Sequence, residues 1–372
     1  MSEREVKQVL RKMDYPLCAK EALNNINQLL CGRAPNIKLM DLALDLMSEF
    51  VFCEVDRRGN KTPAFNPIQE LQLLEVLYDF LNETEDETHC NTVFMNLFSG
   101  TTATQRLKIL NKLVSIALGT NAPKILNSAS TWMQQLGNTS TNSCKLAENI
   151  ITDYFILLPK SLENIHELPV TCPQFTANFL TAIGELYFVE GSLRFPPSCL
   201  LEAVTNWIMS DHSLCIAAQT MQHPLPPGAI AMEATTPIAG LLKWTVLAPI
   251  YKIDSPVYEK LHLGLLNSIF EIPVLPTPRA VSATALTQSN GGILKYVMDL
   301  EKKAKLENVD RHLLVMRDES LLLSLERYAQ IVQVALTKRC IYGNIDDLIV
   351  QMSFLPQTHI VRIVIENYKR KE

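Results

Sequence analysis

Residues 66–81 read NPIQELQLLEVLYDFL, and this stretch shows how the chain begins its helices and buries them. Asn66 is a favourable N-cap, Pro67 occupies a first-turn position that needs no amide hydrogen, and Gln69 can complete a capping box. Two apolar stripes at helical spacing lie on different sides of this segment: Ile68, Leu71, Leu74, Tyr78 and Leu81, and Leu73, Leu77 and Phe80. We therefore predict a helix that packs on two sides.

Similar start signals and amphipathic segments recur along the chain. Ser255-Pro256 repeats the proline start, and Cys172-Pro173 and Pro196-Pro197 are looser versions. Helical periodicity recurs along the chain, without a convincing alternating strand pattern. These features predict an all-α fold. Consecutive antiparallel helix pairs with short loops favour an irregular HEAT-like α-solenoid, although no strict repeat period is present.

Two breaks interrupt the helical pattern. Residues 53–66 form a polar loop, and residues 272–292 contain three prolines before a stretch rich in Ser, Thr, Ala and Gln that ends at Asn290-Gly291-Gly292. We interpret the second break as a linker. The predicted organisation is an N-terminal helical array over residues 1–271, a linker over 272–292 and a smaller C-terminal helical bundle over 293–372.

Composition narrows the classes of function. Hydrophobic residues make up 47% of the 372 residues and charged residues only 20%, against a typical charged share of about 25%. This balance favours apolar surface covered by a partner protein. The net charge of -5 argues against broad electrostatic binding to nucleic acid.

Cysteine usage and the chain start indicate a compartment. The nine cysteines are odd in number, scattered and never spaced as C-x-x-C, so we interpret them as reduced thiols of a cytosolic or nuclear protein. The first seven residues are too charged for a signal peptide, and no segment is a good transmembrane span.

Motifs for binding metals or nucleotides are nearly absent from the sequence. The sequence contains neither a G-x-G-x-x-G nor a G-x-x-x-x-G-K-[ST] nor a G-x-S-x-G motif. Cys199, His212 and Cys215 form the best metal-binding fragment, but no fourth ligand has a suitable spacing. We therefore predict no bound metal and no cofactor.

The sequence holds two candidate acid–base pairs and one histidine within an apolar segment. His166-Glu167 and Asp211-His212 have the composition of acid–base pairs, but we interpret both as residues at helix ends. His262 lies between two leucines and is interpreted as a packed core histidine. The sequence therefore predicts no catalytic residue and no small-molecule substrate.

A series of short motifs adds information that periodicity does not contain. In chain order they are Glu49-Phe50-Val51-Phe52, Gln69-Glu70-Leu71-Gln72-Leu73-Leu74-Glu75, Lys112-Leu113-Val114-Ser115, Asp153-Tyr154 with Leu158-Pro159, Pro196-Pro197, Leu200-Leu201-Glu202, Thr205-Asn206-Trp207-Ile208, Thr236-Pro237, Gly240-Leu241, Trp244, Ala248-Pro249, Lys260-Leu261-His262-Leu263, Leu323-Ser324-Leu325, Ala329-Gln330, Gln333-Val334-Ala335 and Asp346-Asp347-Leu348. Their order, from about residue 15 to 365, resembles the Integrator complex subunit 15 family.

The resemblance implies a nuclear, non-catalytic helical scaffold within Integrator, the assembly that cleaves nascent RNA polymerase II transcripts, including small nuclear RNA precursors. It implies association with the module of the tenth, thirteenth and fourteenth subunits, whereas the endonuclease and phosphatase activities belong to other subunits. Family members carry a lysine-rich insert between the segments matching Ala248-Pro249 and Lys260-Leu261, and a proline- and histidine-rich tail. This chain has neither, so no role of those parts is transferred.

Two other classes of function stay open at this point. One is a helical-repeat adaptor in cytoplasmic traffic or signalling, and the other is a helical enzyme whose site is assembled from distant residues. The sequence does not identify the partner-binding face. We predict that the segment from Ile293 to Tyr368 provides one such face, because it follows the longest linker candidate.

Overall fold

A computed structural model describes residues 3–32, 37–98, 104–157, 163–189, 194–221, 223–230, 232, 235–253, 255–272, 279–307 and 310–370. Nearly all regular structure in these residues is helical, which confirms the predicted all-α class. The helices are α1 (Glu3–Leu10), α2 (Leu17–Cys31), α3 (Ile37–Leu46), α4 (Pro67–Glu83), α5 (Glu87–Leu97), α6 (Thr104–Gly119), α7 (Pro123–Leu136), α8 (Thr141–Ile150), α9 (Glu163–Thr171), α10 (Pro173–Gly184), α11 (Ser198–Ser210), α12 (Ala217–Thr220), α13 (Ile238–Leu247), α14 (Pro256–Glu271), α15 (Ala283–Glu307), α16 (Arg311–Arg317), α17 (Glu319–Thr337), α18 (Ile345–Met352) and α19 (His359–Lys369).

Shorter elements complete the described structure. Two π-helical segments, Met47–Val51 and Ile151–Leu157, continue α3 and α8, and 3₁₀ turns span His212–Ile216 and Pro249–Tyr251. The strands β1 (Val281–Ser282) and β2 (Ile341–Tyr342) form a two-residue parallel pair. Among the helices of the described ranges, none combines the length and apolar character needed to cross a membrane.

The predicted helix starts are confirmed at α4 and α14. Asn66 Oδ1 accepts a hydrogen bond from the Gln69 amide at 2.9 Å, and Gln69 Oε1 accepts one from the Asn66 amide at 3.2 Å. These two bonds form the complete capping box. Ser255 Oγ likewise accepts from the Val257 amide at 3.3 Å, with Pro256 in the first turn.

The prediction that α4 packs on two sides is wrong at the start of the helix. Ile68 and Leu71 are 69% and 66% exposed, whereas Glu70 is buried. The Glu70 carboxylate occupies the inward position because it accepts hydrogen bonds from the ammonium groups of Lys108 and Lys112 on α6. Further along the helix, the leucines of both stripes are buried as predicted: Leu73, Leu74, Leu77 and Leu81.

The chain forms two compact units. The first comprises residues 1–175 and 222–233, and the second comprises residues 176–221 and 234–372. This division differs from the predicted boundaries of 1–271, 272–292 and 293–372. The division into those three segments stays a prediction.

The predicted linker contains helical residues. Its residues 273–278 lie outside the described residues, and residues 283–292 form the beginning of α15. The Gly291-Gly292 pair, which we read as the end of the linker, lies inside this helix. Glycine at position 292 permits close packing of α15 against Leu247, because a Cβ there would lie 2.9 Å from Leu247 Cδ2.

In the first unit, helices pack against others that lie one to three helices further along the chain. Helix α2 packs against α3, α4 and α5; α4 packs against α6 and α7; and α6 packs against α7, α8 and α9. The separate segment of this unit is attached by side chains of α5 and α7. Asn91 Nδ2 donates to the Pro224 carbonyl at 2.8 Å, and Gln134 Nε2 donates to the Met232 carbonyl at 3.1 Å.

In the second unit, α13 is the central helix. It contacts α14, α15 and α17, and α14 also packs against α11 and α17. The start of α13 approaches the end of α10 at backbone distance, since a Cβ on Gly240 would lie 2.7 Å from the Cα of Gly184. Glycine at both positions removes the side chains that would hold these two helices apart.

The end of α13 is completed by side chains of α17. The Thr245 carbonyl would normally accept from the amide of residue 249, but Pro249 has no amide hydrogen. Arg327 Nη1 donates to this carbonyl at 2.9 Å, and Ser324 Oγ donates to the Val246 carbonyl at 2.5 Å. Two buried residues of α17 thus donate to carbonyls at the end of α13, and Arg327 replaces the donor that Pro249 lacks.

Candidate protein-interaction surfaces

In the described part of the chain, the best metal-binding fragment of the sequence (Cys199, His212 and Cys215) does not form a cluster of ligands. Within the described ranges, no group of three or more His, Cys, Asp and Glu residues has a geometry that could hold a metal ion. His212 Nδ1 instead lies 3.2 Å from Glu271 Oε1. Cys215 is buried, and desolvation raises the pKa of its thiol to about 12. Cys199 is half-buried. That the chain binds no metal stays a prediction for direct metal analysis.

The histidines that resembled catalytic groups have separate locations. His166 and Glu167 are exposed and lie within α9 rather than at its end. Asp211 caps the 3₁₀ turn by accepting from the Ser213 amide at 2.9 Å, as expected of a residue at a helix end.

His262 has the surroundings expected of a core residue. It is buried, and its Nε2 lies 2.8 Å from Gln330 Oε1. Burial lowers the pKa of His262, because a charged imidazolium would lose its hydration.

The first turn of α4 presents an apolar pair at the surface of the first unit. Ile68 and Leu71 are exposed beside the ion pairs that Glu70 forms with Lys108 and Lys112. Apolar side chains rimmed by charged groups are typical of protein-binding surfaces.

In the second unit, α14 exposes a second apolar pair. Leu263 and Phe270 are seven residues apart, which places them on the same side of the helix. Both side chains are at least half exposed. Lys338 Nζ lies 4.6 Å from the centre of the Phe270 ring, so a cation covers part of the aromatic face.

The segment predicted as an interaction face also exposes apolar side chains. Val350, Phe354 and Ile363 are accessible on α18, just beyond its end and on α19, respectively. Val350 and Phe354 are four residues apart across the last turn of α18 and the residues after it. Their assignment to a partner stays a prediction.

A cavity of about 810 Å³ opens in the second unit and was missed by the sequence reasoning. Lys243 and Gly291 are among the residues that line it. The available signals were a single lysine within the apolar segment GLLKWTVLAP at residues 240–249 and a glycine pair in a helix-compatible stretch. Neither signal shows that α13 and α15 lie side by side.

Together the fold and these surfaces place the chain among large all-α proteins with surface features suited to protein binding. The Integrator complex subunit 15 family matches residues 4–357, and the chain belongs to this family. It is 34% identical to Integrator complex subunit 15 of Drosophila melanogaster over 389 residues, covering 100% of both chains. The Mus musculus and Homo sapiens proteins of that name are 27% and 26% identical, and each match covers 97% of this chain and 86% of the relative. The resemblance inferred from motif order is thereby confirmed.

Proposed function

We propose that this chain is a non-catalytic scaffold subunit of the nuclear Integrator complex. The observation that carries this proposal is the family match over residues 4–357, together with full-length similarity to a fly protein named as an Integrator subunit. A match of this extent favours a shared assembly role over a single shared domain. Exposed apolar pairs on both compact units support binding through surfaces.

The finer role follows the same resemblance. The chain would support 3′-end cleavage of small nuclear RNA and other RNA polymerase II transcripts without cleaving RNA itself. Its expected neighbours are the module of the tenth, thirteenth and fourteenth Integrator subunits. No direct contact with nucleic acid is expected, because the net charge of -5 gives no general attraction for phosphates.

A scaffold of this kind is consistent with a degenerate HEAT-like arrangement in the first unit. Helices α4, α6 and α8 begin at residues 67, 104 and 141, which are equal intervals of 37 residues. Side chains of α6 bond at a similar separation to α4 and to the π-helical segment that continues α8. Lys108 Nζ donates to Glu70 across 38 residues, and Ser115 Oγ donates to Asp153 across 38 residues. HEAT-type repeats have lengths of about 40 residues.

Affinity purification of the tagged full-length chain from nuclear extract tests the complex assignment. We expect Integrator subunits to be retained through a high-salt wash, which weakens non-specific electrostatic contacts. A matched purification from cytosolic extract is the control. Recovery of cytosolic partners alone, with Integrator subunits absent from the nuclear sample, would refute the proposed function.

The predicted C-terminal face is tested by substitution rather than by deletion. Deleting residues 293–372 would remove α17, which packs against α13 and α14, and would cut α15. The double substitution Val350→Glu and Phe354→Glu changes only exposed side chains. We expect loss of at least one Integrator subunit from the purification, whereas Ser353→Glu, an exposed polar position nearby, should retain all of them. Full retention by the double variant would move the interface away from this segment.

A further inference from the structure

The cavity of about 810 Å³ lies entirely within residues of the second unit. Its volume falls in the range of about 300–1,000 Å³ that is typical of ligand sites. Helix α13 contributes Lys243 and Leu247 to its wall, and α15 contributes Gly291 and Tyr296. Aromatic residues form another part of the lining, notably Phe188 and Tyr251.

Lys243 brings a positive charge into this cavity. Its side chain is half-buried, and among the described residues it makes no hydrogen bond or ion pair. Desolvation lowers the pKa of Lys243, although the charge of Glu185, which lines the same cavity, opposes this shift. An ammonium group that has lost part of its hydration without gaining a hydrogen bond is suited to bind an anion.

Three other polar residues of the cavity lining have partners. The Asp299 carboxylate accepts from Lys302 Nζ at 3.0 Å, and the Tyr296 hydroxyl donates to Asp318 Oδ2 at 3.2 Å. Lys295 also takes part in an interaction. Of the two lysines in the described part of the lining, Lys243 is therefore the one whose ammonium group has no hydrogen-bond or ion-pair partner.

Gly291 leaves room at the cavity wall. A Cβ on Gly291 would meet nothing within 4 Å, whereas a Cβ on the adjacent Gly292 would collide with Leu247. Glycine inside a helix is unfavourable relative to alanine. Close packing explains the presence of glycine at position 292 but not at position 291. At Gly291 the missing side chain exposes the helix backbone to the cavity, so that another chain can approach closely.

Aromatic rings place an apolar surface beside the charge. The Phe188 ring lies 6.1 Å from that of Tyr251 and 5.3 Å from that of Phe195, measured between ring centres. Phe188 is buried, whereas Tyr251 and Phe195 are both more than one-third exposed. This group of rings can therefore receive one further aromatic or large aliphatic side chain.

We propose that this cavity binds a short segment of a partner protein, in which an Asp or Glu carboxylate pairs with Lys243 and a neighbouring aromatic or large aliphatic side chain packs against Tyr251 and Phe195. The partner is another Integrator subunit, and to that extent the inference rests on the proposed function. Phosphate groups are usually held by several donors, such as arginine forks or helix N-termini. An ammonium group without a hydrogen-bond partner, beside aromatic rings, matches one carboxylate next to an apolar side chain.

Carbodiimide cross-linking of purified Integrator containing the full-length chain tests the predicted ion pair. The reagent joins an amine to a carboxylate only where the two are in contact. We expect an amide between Lys243 Nζ and an Asp or Glu of another subunit. Lys243→Arg keeps the charge but cannot be coupled, so this cross-link alone should disappear. Coupling of Lys243 only to its own Glu185 would overturn the proposal.

Amine acetylation provides an independent readout of the same site. Lys243 should be acetylated at least tenfold more slowly in the complex than in the isolated chain, because the partner segment covers it. Lys305, which is exposed on α15, serves as a reference for general reactivity. Equal acetylation of Lys243 in both samples would overturn the proposal.

Two substitutions test the cavity without depending on lysine chemistry. Lys243→Met removes the charge, and Gly291→Leu fills the space at the wall; each should reduce retention of the cross-linked subunit at least fivefold. Lys305→Met and Gly291→Ala are the matched controls and should bind as the wild type does. Thermal unfolding identifies any variant that has lost its fold. If Lys243→Met is unstable, the binding test rests on Gly291→Leu. Wild-type binding by a folded Gly291→Leu protein would refute the cavity assignment alone, whereas a wild-type chain that retains no Integrator subunit would refute the proposed function as well.

Discussion

Replacement of Gly240 by alanine is expected to destabilise the second compact unit. The added Cβ would lie 2.7 Å from the Cα, 3.1 Å from the carbonyl carbon and 3.3 Å from the carbonyl oxygen of Gly184. Carbon atoms pack favourably at about 3.5–4.0 Å. Backbone atoms cannot rotate away from the new methyl group, so α10 and α13 must separate by roughly 1 Å to reach that distance.

The magnitude follows from two opposing effects. Overpacking costs about 1–3 kcal/mol, and a collision between backbones belongs in the upper part of that range. Alanine recovers at most about 0.8–1 kcal/mol through its higher helix propensity. The expected net loss is therefore about 1–2 kcal/mol, which lowers the melting temperature by roughly 2–8 °C.

Gly291→Ala is the matched control for this prediction. The chemical change is the same and the site is also inside a helix, but the added Cβ meets nothing within 4 Å. This variant should gain about 0.8–1 kcal/mol of stability. Thermal unfolding of both full-length variants, followed by circular dichroism at 222 nm, compares the signs. A Gly240→Ala protein that melts at or above the wild-type temperature would refute the close-packing explanation.

Three further predictions concern buried polar groups. Hydrogen bonds from two lysines lower the pKa of Glu70 below its ordinary value of 4.5. The ionised Glu70 carboxylate therefore stabilises the fold fully above pH 4.5, and this stabilisation is lost as the pH falls through the folded-state pKa. Glu70→Gln should therefore lower the free energy of unfolding by about 1–2 kcal/mol at pH 7. It should also weaken the loss of stability at acid pH, as measured by urea unfolding. An unchanged loss of stability at acid pH would contradict this reasoning. Arg327→Met should cost about 1–3 kcal/mol of stability, because it leaves the buried Thr245 carbonyl without its donor. In a double-mutant cycle, Pro249→Ala restores a backbone amide and should reduce that cost. Additive effects of the two substitutions would show that the two donors do not substitute for each other. Burial raises the pKa of Cys215 to about 12, so iodoacetamide at pH 8 should label this thiol only after unfolding. Labelling is measured by mass spectrometry. If Cys215 of the native protein is labelled as fast as the half-exposed cysteines, its placement in the core is contradicted.

The positions of several helix starts are local properties of the sequence. The Asn66 capping box and the proline after Ser255 each involve residues within three positions of one another, so the chain chemistry is sufficient to predict them. The burial of Leu110, Val114 and Ala117 on α6 follows from helical spacing in the same way. The order of motifs along the chain also identified the family, since motif order is read directly from the sequence.

The exposure of Ile68 and Leu71 depends on partners outside their own helix. Helical spacing assigns both residues to an apolar stripe, but the neighbouring lysines on α6 turn Glu70 inward at the same turn. An ion pair that joins residues 38 positions apart leaves no local pattern in the sequence. The prediction therefore failed where a contact from another helix decided which side was buried.

The sequence by itself determined the all-α class, several helix starts and the family of this chain, because caps, helical spacing and motif order act over a few residues or are read along the chain. Only the tertiary structure decided that residues 283–292 continue into α15, that Gly184 and Gly240 meet, and that Lys243 and Gly291 line one cavity. Each of these depends on which helices pack together. Without a strict sequence repeat, that choice is made by the fit of side chains from distant parts of the chain rather than by any local signal.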